Sequence, residues 1–277
     1  MLATEVAPTH GAGGPTGTVA AVLERVLARA AAAGVRVGAL GVGVPGTVNP
    51  ATGVIGESHH TADLTGQPLG RVLGERFGVP AFVDNDVNAL ALGEWMFGPG
   101  QGARSLVVLA AGTGIGAGVV LDGRLVRGHA GYAGEFGHAT VKFNGRPCWC
   151  GARGCLVVYA SGRGIAEAAG GRPAALVFEA AAAGDPAAAA IADEACDALG
   201  AMIGTIVNGL NPEVVVVTGG VAASYAEREV RVRAAAARHS LAIALAGTRI
   251  VIAPGEKRTT VRGPAALAFY EVEGRRR

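Results

Sequence analysis

Three of the four cysteines fall between positions 148 and 155, and a histidine stands upstream of them at 138. In GHATVKFNGRPCWCGARGC (137–155) the spacing is His-x9-Cys-x-Cys-x4-Cys. His138, Cys148, Cys150 and Cys155 thus offer one imidazole and three thiolates, the donor types and the number that Zn2+ takes in closed structural sites. Four protein ligands leave no position open for water, so the expected ion is structural. Gly145, Gly151 and Gly154 let a tight loop fold round it, and ion and loop order together. The competing reading is three free thiols in a redox-inert loop. Cys196 stands alone in a helical pattern and reads as a packed core residue.

Two glycine-rich turns and one acidic run also carry chemistry. GTGIGAG (112–118) would be a dinucleotide fingerprint if it led from a strand into a helix. It leads into VVLDG, a second strand, so it reads as a glycine hairpin. N–H groups in such a turn can face phosphate oxygens because no side chain blocks their approach. A plain β-turn is the alternative. TGGVAAS (218–224) is a strand-to-helix turn. DNDVN (84–88) follows an apolar run, and by itself reads as a polar cap on a helix beginning near Val87.

These groups need a scaffold, and 277 residues suffice for two lobes with separate cores. Half of the chain is apolar and 17% is charged, which excludes a disordered protein. A formal net charge of +2 argues against a general nucleic-acid or membrane surface. The first ten residues lack a secretory pattern, and no apolar run reaches the ~20 residues of a membrane helix. A cytoplasmic setting is expected, where clustered cysteines bind metal more often than they pair.

Helical spacing predicts a helix over 16–33, where Val19, Val22, Leu23, Val26 and Leu27 recur. GALGVGVPG is a strand and turn, GQPLGRVLGERFG a short helix, AFVDND a strand and ALALGEWMFG a helix. GPGQG (98–102) marks a lobe boundary. Strands SLVVLAAG, GAGVVLDG and RLVRG follow, then the cysteine loop. Ala-rich helices fill 160–210 with a break at Gly184-Asp185-Pro186. Strand EVVVVTGG, a helix over 222–239, strand RIVIAP and helix GPAALAFYEVE complete the chain. The halves superimpose in order: helix, strand, helix, strand. The second half alone opens with three strands, so the first lobe is expected to lack its first three. An internal duplication in this form leaves the first lobe with about two strands, a marginal sheet with an open edge.

Joined to GYAGEFGH, VDNDVNALALGE and AAGTGIGAGVVLDGRLVRG, the metal loop resembles the ROK family of bacterial sugar kinases and sugar-responsive repressors, in the right order and over nearly the whole chain. The chain is glucokinase-like in these motifs. The resemblance implies an α/β, two-lobed, actin-like ATPase fold of duplicated ribonuclease-H-like lobes. It also implies sugar in a cleft, ATP mainly on the second lobe, and a homodimer. The expected domains are 1–99, a truncated sugar-side lobe; 100–261, the lobe with the zinc loop and nucleotide-side turns; and 262–277, a helix and tail returning to the first lobe.

Carried over, the family's catalytic base falls on Asp86, where it takes a proton from a sugar hydroxyl as that oxygen attacks the γ-phosphate of ATP, with Mg2+ on the phosphates. Asn85, Glu135 and His138 fall on sugar-binding positions, and His138 is also a metal ligand. Gly112, Thr113, Gly114 and Gly116 fall on a phosphate-side turn, and Gly219 and Gly220 against adenosine. GVGVPGTVNPATG (41–53) matches a loop near the sugar.

Two departures stand out. Family kinases carry an Asp-x-Gly-Gly-Thr hairpin that contacts ATP phosphates, and this sequence contains none; weak or no kinase activity is the expectation. Val157 stands where the family has a sugar-binding glutamate. His59 and His60 lie in the sugar-facing stretch and read as surface histidines. The alternatives to a hexose kinase are the sugar-sensing module of a ROK repressor without its helix-turn-helix, which would not bind DNA alone, and an inactive sugar-binding relative.

Overall fold

A computed structural model describes residues 5–8, 13–49, 52–56, 61–255 and 257–274, with side chains from 261 onward in the last stretch. His59 and His60 lie outside the described residues. In chain order the elements are α1 (Gly14–Ala32), β1 (Leu40–Val44), α2 (Leu69–Phe77), β2 (Ala81–Asn85) and α3 (Asp86–Phe97). A hairpin and short strand follow: β3 (Leu106–Ala111), β4 (Ile115–Leu121) and β5 (Arg124–Leu125). Helices α4 (Val157–Ala160), α5 (Gly162–Ala168), α6 (Ala174–Ala182) and α7 (Pro186–Leu210) come next. Then come β6 (Val214–Thr218), α8 (Ala222–Ala226), α9 (Glu229–Arg238), α10 (Ala242–Ala246), β7 (Arg249–Ile252) and α11 (Lys257–Gly274). The chain divides into two compact units. The first comprises Met1–Gly93, Arg127–Tyr132 and Val261–Arg277, and the second Glu94–Val126 and Ala133–Thr260.

In the second unit the strand order is β5-β4-β3-β6-β7. β3 and β4 are antiparallel and close at Ala111↔Ile115; β3, β6 and β7 run parallel. Every residue of β6, VVVVT, is buried. Such an unbroken apolar run marks a parallel strand covered on both faces. Leu109, Val215 and Val217 pack with Leu199, Ile203 and Val207 of α7 in one core. Asp185 caps α7 by accepting from Ala187 N (2.9 Å) and Ala188 N (3.2 Å), and Pro186 opens the helix. The expected break at Gly184-Asp185-Pro186 is therefore a cap. Gly200 and Gly204 let α9 lie against α7. A Cβ on Gly200 would stand 2.3 Å from Ala235 Cβ and 2.5 Å from Val232 O.

The first unit holds a parallel pair, Leu40↔Ala81 through Val44↔Asn85. Val42 and Val44 join Leu69, Leu73, Ile55 and Ala20 in its core. Gly41 and Gly43 face the other way, opposite Phe82 and Asp84. A Cβ on Gly41 would lie 1.7 Å from Pro264 O, so α11 runs against bare strand backbone. Among the described residues this sheet has two strands where the second unit has five, as laying the halves together predicts.

Three elements differ from the sequence reading. The helix expected over 222–239 is broken at Glu227–Arg228. Tyr225 is buried with its hydroxyl donating to Ala160 O (2.6 Å), and the chain turns there before α9 restarts along α7. α10 has no counterpart in the sequence reading. The strand expected over RLVRG ends at Leu125. Val126 N still donates to Val119 O (2.8 Å), but Arg127 leaves the sheet for carboxylates of the first unit. Among the described residues no single helix is long and apolar enough to cross a membrane.

Candidate functional site

The acidic run sits where β2 ends and α3 begins. Strand alternation buries Asp84, at 3% exposure, beside Phe82. A buried carboxylate must be paired and hydrogen-bonded. Arg127 Nε lies 2.6 Å away, Asn88 Nδ2 donates at 2.9 Å and the Asn85 N–H at 2.7 Å. Arg127 also donates through Nη2 to Glu271 of α11 at 2.5 Å. Burial opposes the charge on Arg127, but the two carboxylates outweigh it and hold the guanidinium above its ordinary range. This triad, with Asn49, Thr52 and Arg71, lines a cavity of about 260 Å3 in the first unit. Nothing in the spacing announces it, because Arg127 and Glu271 are 144 residues apart.

Asn85 performs the capping that DNDVN suggests. Its Oδ1 accepts from Val87 N (2.9 Å) and Asn88 N (3.2 Å), while Nδ2 donates to Gly46 O (2.8 Å). One side chain thus starts α3 and fixes the turn after Pro45. Asp86 is exposed in the first turn of α3. Negative charge is favoured at a helix N-terminus. Gly43 makes room for this junction: a Cβ there would stand 3.1 Å from Asp86 Cα.

In the second unit, GEFGH lies flat on β4. A Cβ on Gly134 would be 2.3 Å from Ala117 O, and one on Gly137 2.1 Å from Ile115 O. Glu135, exposed, and His138, half-buried, are held at the two ends of a helical turn closed by His138 N to Glu135 O (3.0 Å). His138 Nδ1 stands 3.6 Å from Cys148 Sγ, and Cys150 Sγ 3.8 Å from Cys155 Sγ. All four donor atoms lie within 4.8 Å of one another. An ion with metal–sulfur bonds of about 2.3 Å and metal–nitrogen bonds of about 2.0 Å sets tetrahedral edges of about 3.8 Å for S···S and about 3.5 Å for N···S. The cluster therefore fits a four-coordinate metal ion. Bridges Thr140↔Cys155 and Pro147↔Arg153 shape the loop, with Gly151 at φ 91° and Gly154 at φ 73°. Burial and its thiol neighbours push Cys155 up to about 12, so ion binding must displace its proton. Lys142 (3.1 Å) and Arg146 both pair with Glu194, which ties the loop to α7. Cys196 is fully buried, and burial pushes it to about 12, an inert core thiol.

The two glycine turns meet at one end of the five-stranded sheet. Gly112 N donates to Gly114 O (2.9 Å), and Thr113 and Gly114 are exposed. Among the described residues neither the Thr113 nor the Gly114 N–H has a backbone carbonyl partner. Gly116 stands inside β4 opposite Ala110, past the turn itself. Gly219 has φ 105°, and a Cβ on it would lie 2.5 Å from Ala111 O, where β3 ends. Val157, in place of the expected glutamate, is 2% exposed and belongs to the core. Asn85 and Asp86 thus belong to the first unit; Glu135, His138 and both glycine turns belong to the second.

The chain is 37% identical over 201 residues to a glucokinase of Thermotoga maritima, covering 66% of this chain and 63% of that protein. It is 40% identical over 128 residues to a xylose repressor of Caldicellulosiruptor bescii, covering 46% of this chain and 31% of that protein. The chain thus matches less than two thirds of the length of these curated relatives. Among solved structures, a ROK hexokinase from Thermus thermophilus aligns with a TM-score of 0.82 and 33% identity, over 98% of this chain and 91% of that one. A ROK family glucokinase from Streptomyces griseus, in complex with glucose and AMPPNP, aligns with a TM-score of 0.74 and 29% identity, over 95% and 90%. With strands, turns and the Cys–His cluster in these places, and the ROK family model matching residues 8–270, the chain belongs to the ROK family.

Proposed function

We propose that this chain binds a hexose and ATP, and that it transfers the γ-phosphoryl group to a sugar hydroxyl with Asp86 as general base. The hydroxyl proton passes to the Asp86 carboxylate as the sugar oxygen bonds to phosphorus, and the bond from phosphorus to the leaving ADP oxygen breaks. Mg2+, when bound, offsets charge on the phosphates. Asn85, Glu135 and His138 hold the sugar. Gly112, Thr113, Gly114 and Gly116 serve the phosphate side, and Gly219 and Gly220 the adenosine side. The ion at His138, Cys148, Cys150 and Cys155 is Zn2+ in a structural role, since one nitrogen and three sulfur donors close its shell. The observation that carries this reading is the likeness to the Thermus hexokinase over 98% of the chain, and the carboxylate of Asp86 in the first turn of α3 supports it. The glucose and AMPPNP of the Streptomyces structure support the two ligand classes.

Transfer is expected to be slow, because the sequence contains no Asp-x-Gly-Gly-Thr hairpin. Val157 removes one acceptor for a sugar hydroxyl, a loss of about 1–3 kcal/mol if that hydroxyl stays unpaired. The identity to a xylose repressor favours a second reading, a sugar-sensing module. Calorimetric titration with glucose and then ADP tests both. The kinase reading expects wild type and Asp86→Asn to bind glucose alike, Glu135→Gln to bind it about tenfold more weakly, and ADP to bind measurably. Glucose binding with no ADP binding would replace the kinase by the sensor, and no glucose binding would remove both.

A further inference from the structure

Trp149 stands between two members of the metal cluster, Cys148 and Cys150, and is half-exposed. Its ring does not project unsupported: the Arg163 guanidinium lies 4.3 Å above the ring centre. Arg163 Nε is held at 2.7 Å by Glu167, one turn along α5. The backbone of the same residue reaches the phosphate-side turn. Arg163 N donates to Thr113 O at 3.1 Å, and Gly162 N donates to Gly112 O at 2.8 Å. Gly162 permits this approach, since a Cβ there would lie 3.1 Å from Gly112 O. A second path runs through the chain itself. Cys155 leads directly into α4, and Ser161, fully buried, caps α5 by accepting from Gly164 N (3.0 Å). Two carbonyls of the turn, Gly112 O and Thr113 O, are therefore tied to the α4–α5 corner, and that corner is tied to the metal loop.

We propose that Trp149 and Arg163 form a strut through which the metal loop sets the Gly112–Gly114 turn, so that Arg163 is a positioning residue for nucleotide binding. This rests on the nucleotide reading of that turn given above. A turn whose carbonyls are held on one side presents its Thr113 and Gly114 N–H groups in one arrangement, and a ligand phosphate then meets donors already ordered. Loss of the ion releases Trp149, frees the guanidinium and loosens the turn.

Amide hydrogen exchange, read by mass spectrometry on peptides covering 106–118 and 156–168, tests the coupling without nucleotide. Chelation of the zinc-loaded wild type with EDTA is expected to speed exchange in both peptides about tenfold. Arg163→Gln, zinc content unchanged by elemental analysis, is expected to show faster exchange in 106–118 before chelation. Arg163→Lys, which keeps a cation over the ring, falls between the two. Unchanged exchange in 106–118 on chelation, or in the zinc-loaded Arg163→Gln protein, overturns the strut. ADP titration is the second arm. Arg163→Gln is expected to bind ADP about two- to fivefold more weakly than wild type, the loss of one cation–π contact, and Arg163→Lys to recover most of it. Equal affinity in wild type and Arg163→Gln overturns the positioning role. A wild type that binds no ADP removes the nucleotide reading, while the exchange data still decide the coupling.

Discussion

At the scale of single residues, the β2–α3 junction separates two carboxylates by environment. Asp84 is buried and committed to Arg127, Asn88 and its own neighbour's N–H; Asp86 is exposed at a helix start. Using Asp84 as the base would leave the Arg127 guanidinium short of a partner. Asp84 is accordingly structural, and its removal should be felt in stability. Asp84→Ala leaves Arg127 with one partner, at 21% side-chain exposure. Breaking a buried ion pair from one side costs about 3 kcal/mol. A urea unfolding curve should show that loss, with a smaller one for Glu271→Gln, whose side chain is more exposed. Equal stability of Asp84→Ala and wild type would mean that the triad is not what holds α11 to this junction.

At the scale of elements, the metal loop is a short segment without regular structure, bounded by two isolated bridges and pinned to α7 through Glu194. Too small to bury its own core, it is expected to take its order from the ion proposed for it. Elemental analysis is expected to find about one zinc per chain, and Cys150→Ser to lose it with a lower thermal midpoint. A folded protein without metal would remove the site. Legibility in the sequence followed locality. VVVVT, the GTGIGAG hairpin, the interruption at Gly184-Asp185-Pro186 and the Cys–His loop could be read because their signals lie within a few residues of one another. The break at Glu227–Arg228 could not, because it depends on Tyr225 meeting Ala160, 65 positions away. Arg127 falls within the expected strand RLVRG, but its carboxylate partners come from β2 and α11. Trp149 over Arg163 escaped for the same reason: contact across a fold leaves no periodicity.

At the scale of the whole molecule, the two units differ in what supports them. The second has five strands, all of β6 buried and a long capped helix. The described part of the first has two parallel strands and a smaller core. Sheets of two strands are marginal unless helices cover them. Amides of β1 and β2 should exchange with solvent faster than those of β3 and β6, as expected of a less stable cooperative unit. Equal protection would mean that the first unit is sustained by more than its own sheet and helices. The residues given roles above fall on both units, Asp86 and Asn85 on one, Glu135 and the glycine turns on the other. ATP-dependent phosphorylation of glucose by the purified chain, measured beside Asp86→Asn, tests the central claim most directly. The account predicts slow but measurable transfer in the wild type and loss of at least about a hundredfold in Asp86→Asn, with glucose affinity unchanged. An Asp86→Asn protein that phosphorylates glucose as fast as the wild type would contradict it.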